Sequence, residues 1–125
     1  MVAIRQGVGE TAMVCGFTHK NGGWRLAAVT AAEYPGAPSI LMTKEHGQET
    51  IVKVYYSVVA CDRAFLRLVD RCTEDGFQHM GQVEMLLPDL LFNPEVDDSV
   101  AVMERWADQL LRSASFKLVR QHLTQ

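Results

Sequence analysis

The fold is decided by Glu49-Thr50-Ile51-Val52-Lys53-Val54-Tyr55-Tyr56-Ser57-Val58-Val59-Ala60-Cys61-Asp62, which runs on through Arg63-Ala64-Phe65-Leu66-Arg67-Leu68-Val69-Asp70-Arg71-Cys72 to Gly76. From Thr50 to Val58 the residues are mostly β-branched or aromatic. Side chains alternate across a strand, so Val52, Val54, Tyr56 and Val58 form a dry face, with Lys53 and Ser57 on a mixed one. At Asp62 the period changes from two to about 3.6, and Phe65, Leu68, Val69 and Cys72 fall on one helical face. Asp62 is expected to cap this helix, and Gly76 to supply the left-handed residue past its end.

Upstream, two hairpins are expected. Asn21-Gly22 is a preferred pair for a two-residue turn, which sets His19 opposite Trp24, Phe17 opposite Leu26, Cys15 opposite Ala28 and Met13 opposite Thr30. The loop Glu33-Tyr34-Pro35-Gly36-Ala37-Pro38 separates it from a second hairpin around His46-Gly47. There Lys44 is expected opposite Glu49, Thr43 opposite Thr50 and Leu41 opposite Val52, since opposite charges and paired threonines favour that register.

Downstream, Val83, Met85 and Leu87 alternate with Gln82 and Glu84, which predicts a fifth strand. Leu86-Leu87-Pro88-Asp89-Leu90-Leu91-Phe92 is irregular, because Pro88 suits neither a helix interior nor a central strand. A second helix is then expected from an Asn93 cap, with Pro94 at its first position and an apolar stripe of Val96, Val100, Met103, Ala107 and Leu110. Ser113-Ala114-Ser115 is expected to end it, and residues 116–123 fit either a last strand or a helical turn. The order ββββ-α-β-α predicts one α+β domain over residues 1–125. Its antiparallel sheet has four to six strands, with two helices packed on one face.

No apolar run approaches the ~20 residues of a membrane span, and the N-terminus lacks a signal-peptide pattern. A cytoplasmic protein that does not engage membranes is expected. Three cysteines, an odd number, agree. On one helix Cys61 and Cys72 are about 16 Å apart, too far for a disulfide or a shared zinc. Net charge is −3, but no Lys or Arg occurs between Cys72 and Glu104, where eight acids fall. That block repels a phosphate backbone, so no nucleic-acid partner is expected.

Chemistry is sparsely signalled. Gly7-Val8-Gly9 lacks the rest of a phosphate loop, the four histidines share no ligand spacing, and no acid/base/nucleophile set has workable spacing. No cofactor, metal or catalytic residue is expected. The repeat Arg63, Arg67, Arg71 fits either a solvated face laced by Asp70, Glu74 and Asp75 or an anion or partner site. The function expected first is binding another protein, or a second copy of this chain, as an adaptor, chaperone or toxin-neutralising protein would. Apolar Leu87, Leu90, Leu91 and Phe92, rimmed by Glu84 and Asp89, are its candidate contact residues. The alternative is a small-molecule site or small enzyme between sheet and helices, with His19, Trp24 and Cys15.

Overall fold

A computed structural model of the chain describes residues 11–30, 38–86 and 99–124. Its elements are β1 (Thr11–Thr18), β2 (Trp24–Thr30), β3 (Ser39–Glu45), β4 (Ile51–Tyr55), α1 (Val58–Glu74), β5 (Gln78–Leu86) and α2 (Ser99–Thr124). The five strands form one antiparallel sheet in the order β4-β3-β2-β1-β5. The class and the order ββββ-α-β-α are those the sequence predicts.

The helices, however, lie on opposite faces of the sheet and not on one. Ala12, Val14, Leu26, Ala28, Ile40, Met42, Val83 and Met85 pack against Ala107, Leu110, Leu111, Ala114 and Leu118 of α2. Residues of the other parity, Cys15, Phe17, Val29, Leu41 and Tyr55, pack against Cys61, Ala64, Phe65, Leu68, Val69 and Cys72 of α1. The physical reason lies in β2 and β3. Leu26-Ala27-Ala28 and Ile40-Leu41-Met42 are buried at every position, as strands covered on both faces must be.

Both hairpin registers differ from expectation by one residue. In the first, Thr18 lies opposite Trp24, Phe17 opposite Arg25, Cys15 opposite Ala27 and Met13 opposite Val29. The loop holds three residues, Lys20 to Gly22. It is closed by His19 N–H to the Gly23 carbonyl (2.8 Å) and Gly22 N–H to the His19 carbonyl (2.9 Å). Gly22 alone takes positive φ, 94°, while Asn21 Oδ1 accepts from Gly23 N–H at 2.9 Å. Asparagine here serves as a side-chain acceptor and leaves the left-handed position to glycine. In the second hairpin Leu41 faces Lys53, Met42 faces Val52 and Thr43 faces Ile51. Gln48 N–H closes its turn on the Glu45 carbonyl, with Gly47 at φ 80°.

The slip redirects Lys44. Its Nζ reaches Asp108 Oδ1 of α2 at 2.9 Å, in place of Glu49. Thr50 donates to the same oxygen at 2.9 Å, and Arg112 Nε holds the other at 2.9 Å. These contacts fasten α2 to the second hairpin. They hold the Asp108 carboxyl below its ordinary range, through the Lys44 bond first and Thr50 and Arg112 besides, against a smaller opposing effect of burial.

Helix α1 begins earlier than Asp62. Ser57, in extended backbone, caps it by accepting from Ala60 N–H at 3.2 Å. Val58 and Val59 therefore leave the strand. Their branched side chains are tolerated in a first turn, which has no preceding turn to crowd. Gly76 follows the helix at φ 88°, as expected. Helix α2 runs through Ser113-Ala114-Ser115 to Thr124, so residues 116–123 are helical. Ala114 and Leu118 are buried, and that burial outweighs the weak helix propensity of the serines. Asn93, Pro94 and Val96 lie outside the described residues.

Candidate functional site

Helix α1 follows directly on the edge strand β4 and must cross the sheet to reach β5 at the far edge. Its first half packs on Leu41 and Tyr55, its last turns on Cys15 and Phe17. On the α1 face, the hairpin end of β3 and β4 is thereby left uncovered among the described residues, and a cleft of about 340 Å³ opens between it and the helix. Leu41, Ile51, Tyr55, Ala64 and Leu68 make its walls apolar, and Lys53, Arg67 and Arg71 bring three cations to it. A second space of about 770 Å³ shares Ile51, Leu68 and Arg71 with the first and continues along α1 to Phe17, Arg25 and Cys72. Together they form one groove along the helix.

Arg25, Lys44 and Arg112 all sit in ion pairs. Lys53, Arg67 and Arg71 share with Lys20, Arg63, Arg105, Lys117 and Arg120 the lack of an ion pair among the described residues, but these three line an apolar cleft. Of the carboxylates expected to offset Arg67 and Arg71, Asp75 is engaged by Arg25 Nη1 at 2.8 Å, and Asp70 and Glu74 form no ion pair among the described residues. Arg67 and Arg71, one turn apart, therefore repel each other by a few tenths of a kcal/mol with no carboxylate bridging them. An anion entering the cleft relieves that repulsion and meets two forked donors and an ammonium.

Arg25 itself is fully committed. Its guanidinium holds Glu45 at 3.0 Å and Asp75 at 2.8 Å and lies 4.2 Å from the centre of the Phe77 ring. Burial works against its charge, but the Asp75, Cys72 and Glu45 contacts more than offset this and raise its pKa.

The structure separates the expected small-molecule trio. His19 and Trp24 both line a polar space of about 310 Å³ at the hairpin tips. They do not pair: His19 meets Phe77 edge-on at 5.0 Å, while Trp24 stacks on His46 at 5.6 Å and 12°. Cys15 lies elsewhere, buried beneath α1 with Phe17 and Cys72. Burial pushes its thiol pKa up, as it does that of Cys61, where Asp62 adds to the effect. Such thiols resist becoming thiolates. All three cysteines are free and buried. Of the expected contact residues, Glu84 is exposed on β5 opposite Met13. Leu87, Asp89, Leu90, Leu91 and Phe92 lie outside the described residues.

Sequence reasoning singled out the arginine repeat and missed Lys53, Ile51 and Tyr55 as its neighbours. The arginines carried a helical-spacing signal. Nothing in the sequence placed α1 over β4. Among the described residues, no helix is long and apolar enough to cross a membrane, and no three His, Cys, Asp or Glu side chains are placed to hold a metal ion. No protein-family model, curated protein or solved structure matches the chain.

Proposed function

We propose that the chain works by binding another protein, taking an acidic, partly apolar segment of it into the cleft between α1 and the β3–β4 hairpin. The observation that carries this reading is the meeting of three cations and apolar walls at a sheet edge, with neither the cations nor the edge paired by any described residue. Apolar walls supply affinity by leaving water, at about 25 cal/mol per Å². The cations select the partner by charge and speed its approach. Ile51, 55% exposed, lines both spaces and carries the apolar surface from one into the other, which suits a polypeptide better than a compact ligand.

The small-molecule alternative at His19 and Trp24 has less support, since the charged groups in that wall already satisfy one another. The acidic stretch beyond β5 stays a second candidate surface for a basic partner or another copy. Leu86, 77% exposed at the end of β5, is the observation that favours it.

The test is affinity capture with the wild-type chain and with Arg67→Glu/Arg71→Glu. A Lys117→Glu/Arg120→Glu variant makes the same charge change on exposed positions of α2 and serves as control. Partners retained by the wild type and the control, released by added salt and lost from the cleft variant, fit the proposal. Capture that survives the cleft exchange contradicts it.

A further inference from the structure

We propose that the partner segment joins the sheet as a sixth strand along β4, which reads in it an acidic residue flanked two positions away on each side by apolar ones. This rests on the reading of the cleft as a protein-binding site and adds the mode and the pattern of recognition.

Among the described residues β4 is an end strand, bonded to β3 alone. Every second residue of it turns its N–H and C=O away from β3, toward whatever lies alongside. A strand docked there, ~4.8 Å away, pairs those groups. Alternation then fixes what its side chains meet. Ile51, Lys53 and Tyr55 form one row on the α1 face, and Val52 and Val54 form the other row, on the α2 face. Residues directly opposite in paired strands come within ~4.5–5.5 Å. The position across from Lys53 therefore calls for a carboxylate, and those across from Ile51 and Tyr55 for apolar side chains. The half-buried Val52 and Val54 favour β-branched partners between them. Arg67 and Arg71 line the same cleft from the helix side and strengthen the demand for negative charge.

Lys53 also decides what β4 refuses. A charged residue amid an edge strand blocks pairing with apolar strands. Two copies of β4 paired antiparallel about their centres set Lys53 against Lys53, a like-charge contact that disfavours self-association. An acidic segment from a different protein reverses both penalties. Charge complementarity thus selects this occupant over a second β4.

The test uses a blocked peptide, acetyl-Glu-Ile-Val-Glu-Val-Ile-Glu-amide, which reads the same in either direction and so satisfies the pattern in either strand orientation. Binding to the full chain is measured by calorimetry beside two backbone-methylated versions. One is N-methylated at the central Glu and both Ile, the other at both Val. Strand addition loses at least tenfold in affinity with one methylated peptide and little with the other, because only alternate N–H groups face β4. Lys53→Glu should cost the parent peptide at least tenfold. Equal sensitivity to both methylations, or to neither, overturns strand addition and leaves the protein-binding reading standing. Failure of the parent peptide to bind at millimolar concentration also overturns it. The protein-binding reading falls only if captured partners survive Arg67→Glu/Arg71→Glu.

Discussion

Gly16 of β1 and Gly81 of β5 lie opposite each other in the sheet, and Leu118 of α2 fills the hollow they leave. A Cβ built at Gly16 comes within 2.9 Å of Leu118 Cδ1 and 3.4 Å of Met80 Cε. Leu118 is 1% exposed, so its side chain has little room to retreat. Gly16→Val therefore overpacks the site and should cost about 1–3 kcal/mol or more. Leu118→Ala empties it and should cost about 2–5 kcal/mol. The two changes compensate, since valine adds three carbons to glycine and alanine removes three from leucine. The double variant is close to a volume-conserving swap, a class that usually costs less than about 1.5 kcal/mol. We expect its loss to fall short of the sum of the singles by at least about 1 kcal/mol, the size of coupling that touching residues show. Urea denaturation measures this. With a slope of ~1–3 kcal/mol per molar, Leu118→Ala should lower the midpoint by roughly 1–2 M, and the double variant should recover part of that. A double variant whose loss equals the sum within about 0.5 kcal/mol would show that Leu118 does not occupy the Gly16–Gly81 hollow. The C-terminal half of α2 would then be wrongly docked.

Asp108 has a depressed folded-state pKa, so the stability it contributes is fully present above its unfolded value of ~3.9 and is lost as pH falls through the lower folded value. Asp108→Asn should lower stability at pH 7 and flatten the pH dependence of the urea midpoint below about pH 4. An unchanged slope there would mean that the Lys44–Asp108 contact is not formed. Gly22→Val should destabilise the first hairpin by about 1–2 kcal/mol through backbone strain alone. Nothing lies within 4 Å of its added Cβ, so a steric clash cannot be the cause. Gly22→Asn, a residue that tolerates positive φ, should cost less, and equal losses would refute the backbone explanation. Ser57→Ala should remove about 1 kcal/mol by uncapping α1, whereas Asp62→Ala should cost far less in the same thermal melts.

Sequence alone determined the order ββββ-α-β-α, since those elements are written in local periodicity, and left only residues 116–123 open between strand and helix. Val83 and Met85 alternate with Gln82 and Glu84, and the Cys61–Cys72 spacing on one helix forbids a disulfide. Gly76 stops α1 wherever that helix is placed. The register of the hairpins was a different matter. Asn21-Gly22 serves a two-residue loop and a three-residue loop equally well. Both parities of β1 and β2 carry apolar residues, so the pattern could not choose between alignments one residue apart. Packing on two sides chose: Val14 and Ala28 had to reach α2 while Cys15 and Phe17 reached α1. The same two-sided burial drew α2 past its serines, because Leu118 had a hollow to fill. The cleft is a still less local property. Arg67 and Arg71 announced themselves by spacing, but α1 first had to bridge the edges of the sheet, without itself covering the β3–β4 end, before they could share a wall with Lys53, Ile51 and Tyr55. Only tertiary structure decides that, because the angle of a crossing helix is set by everything it packs against and by no residue of its own.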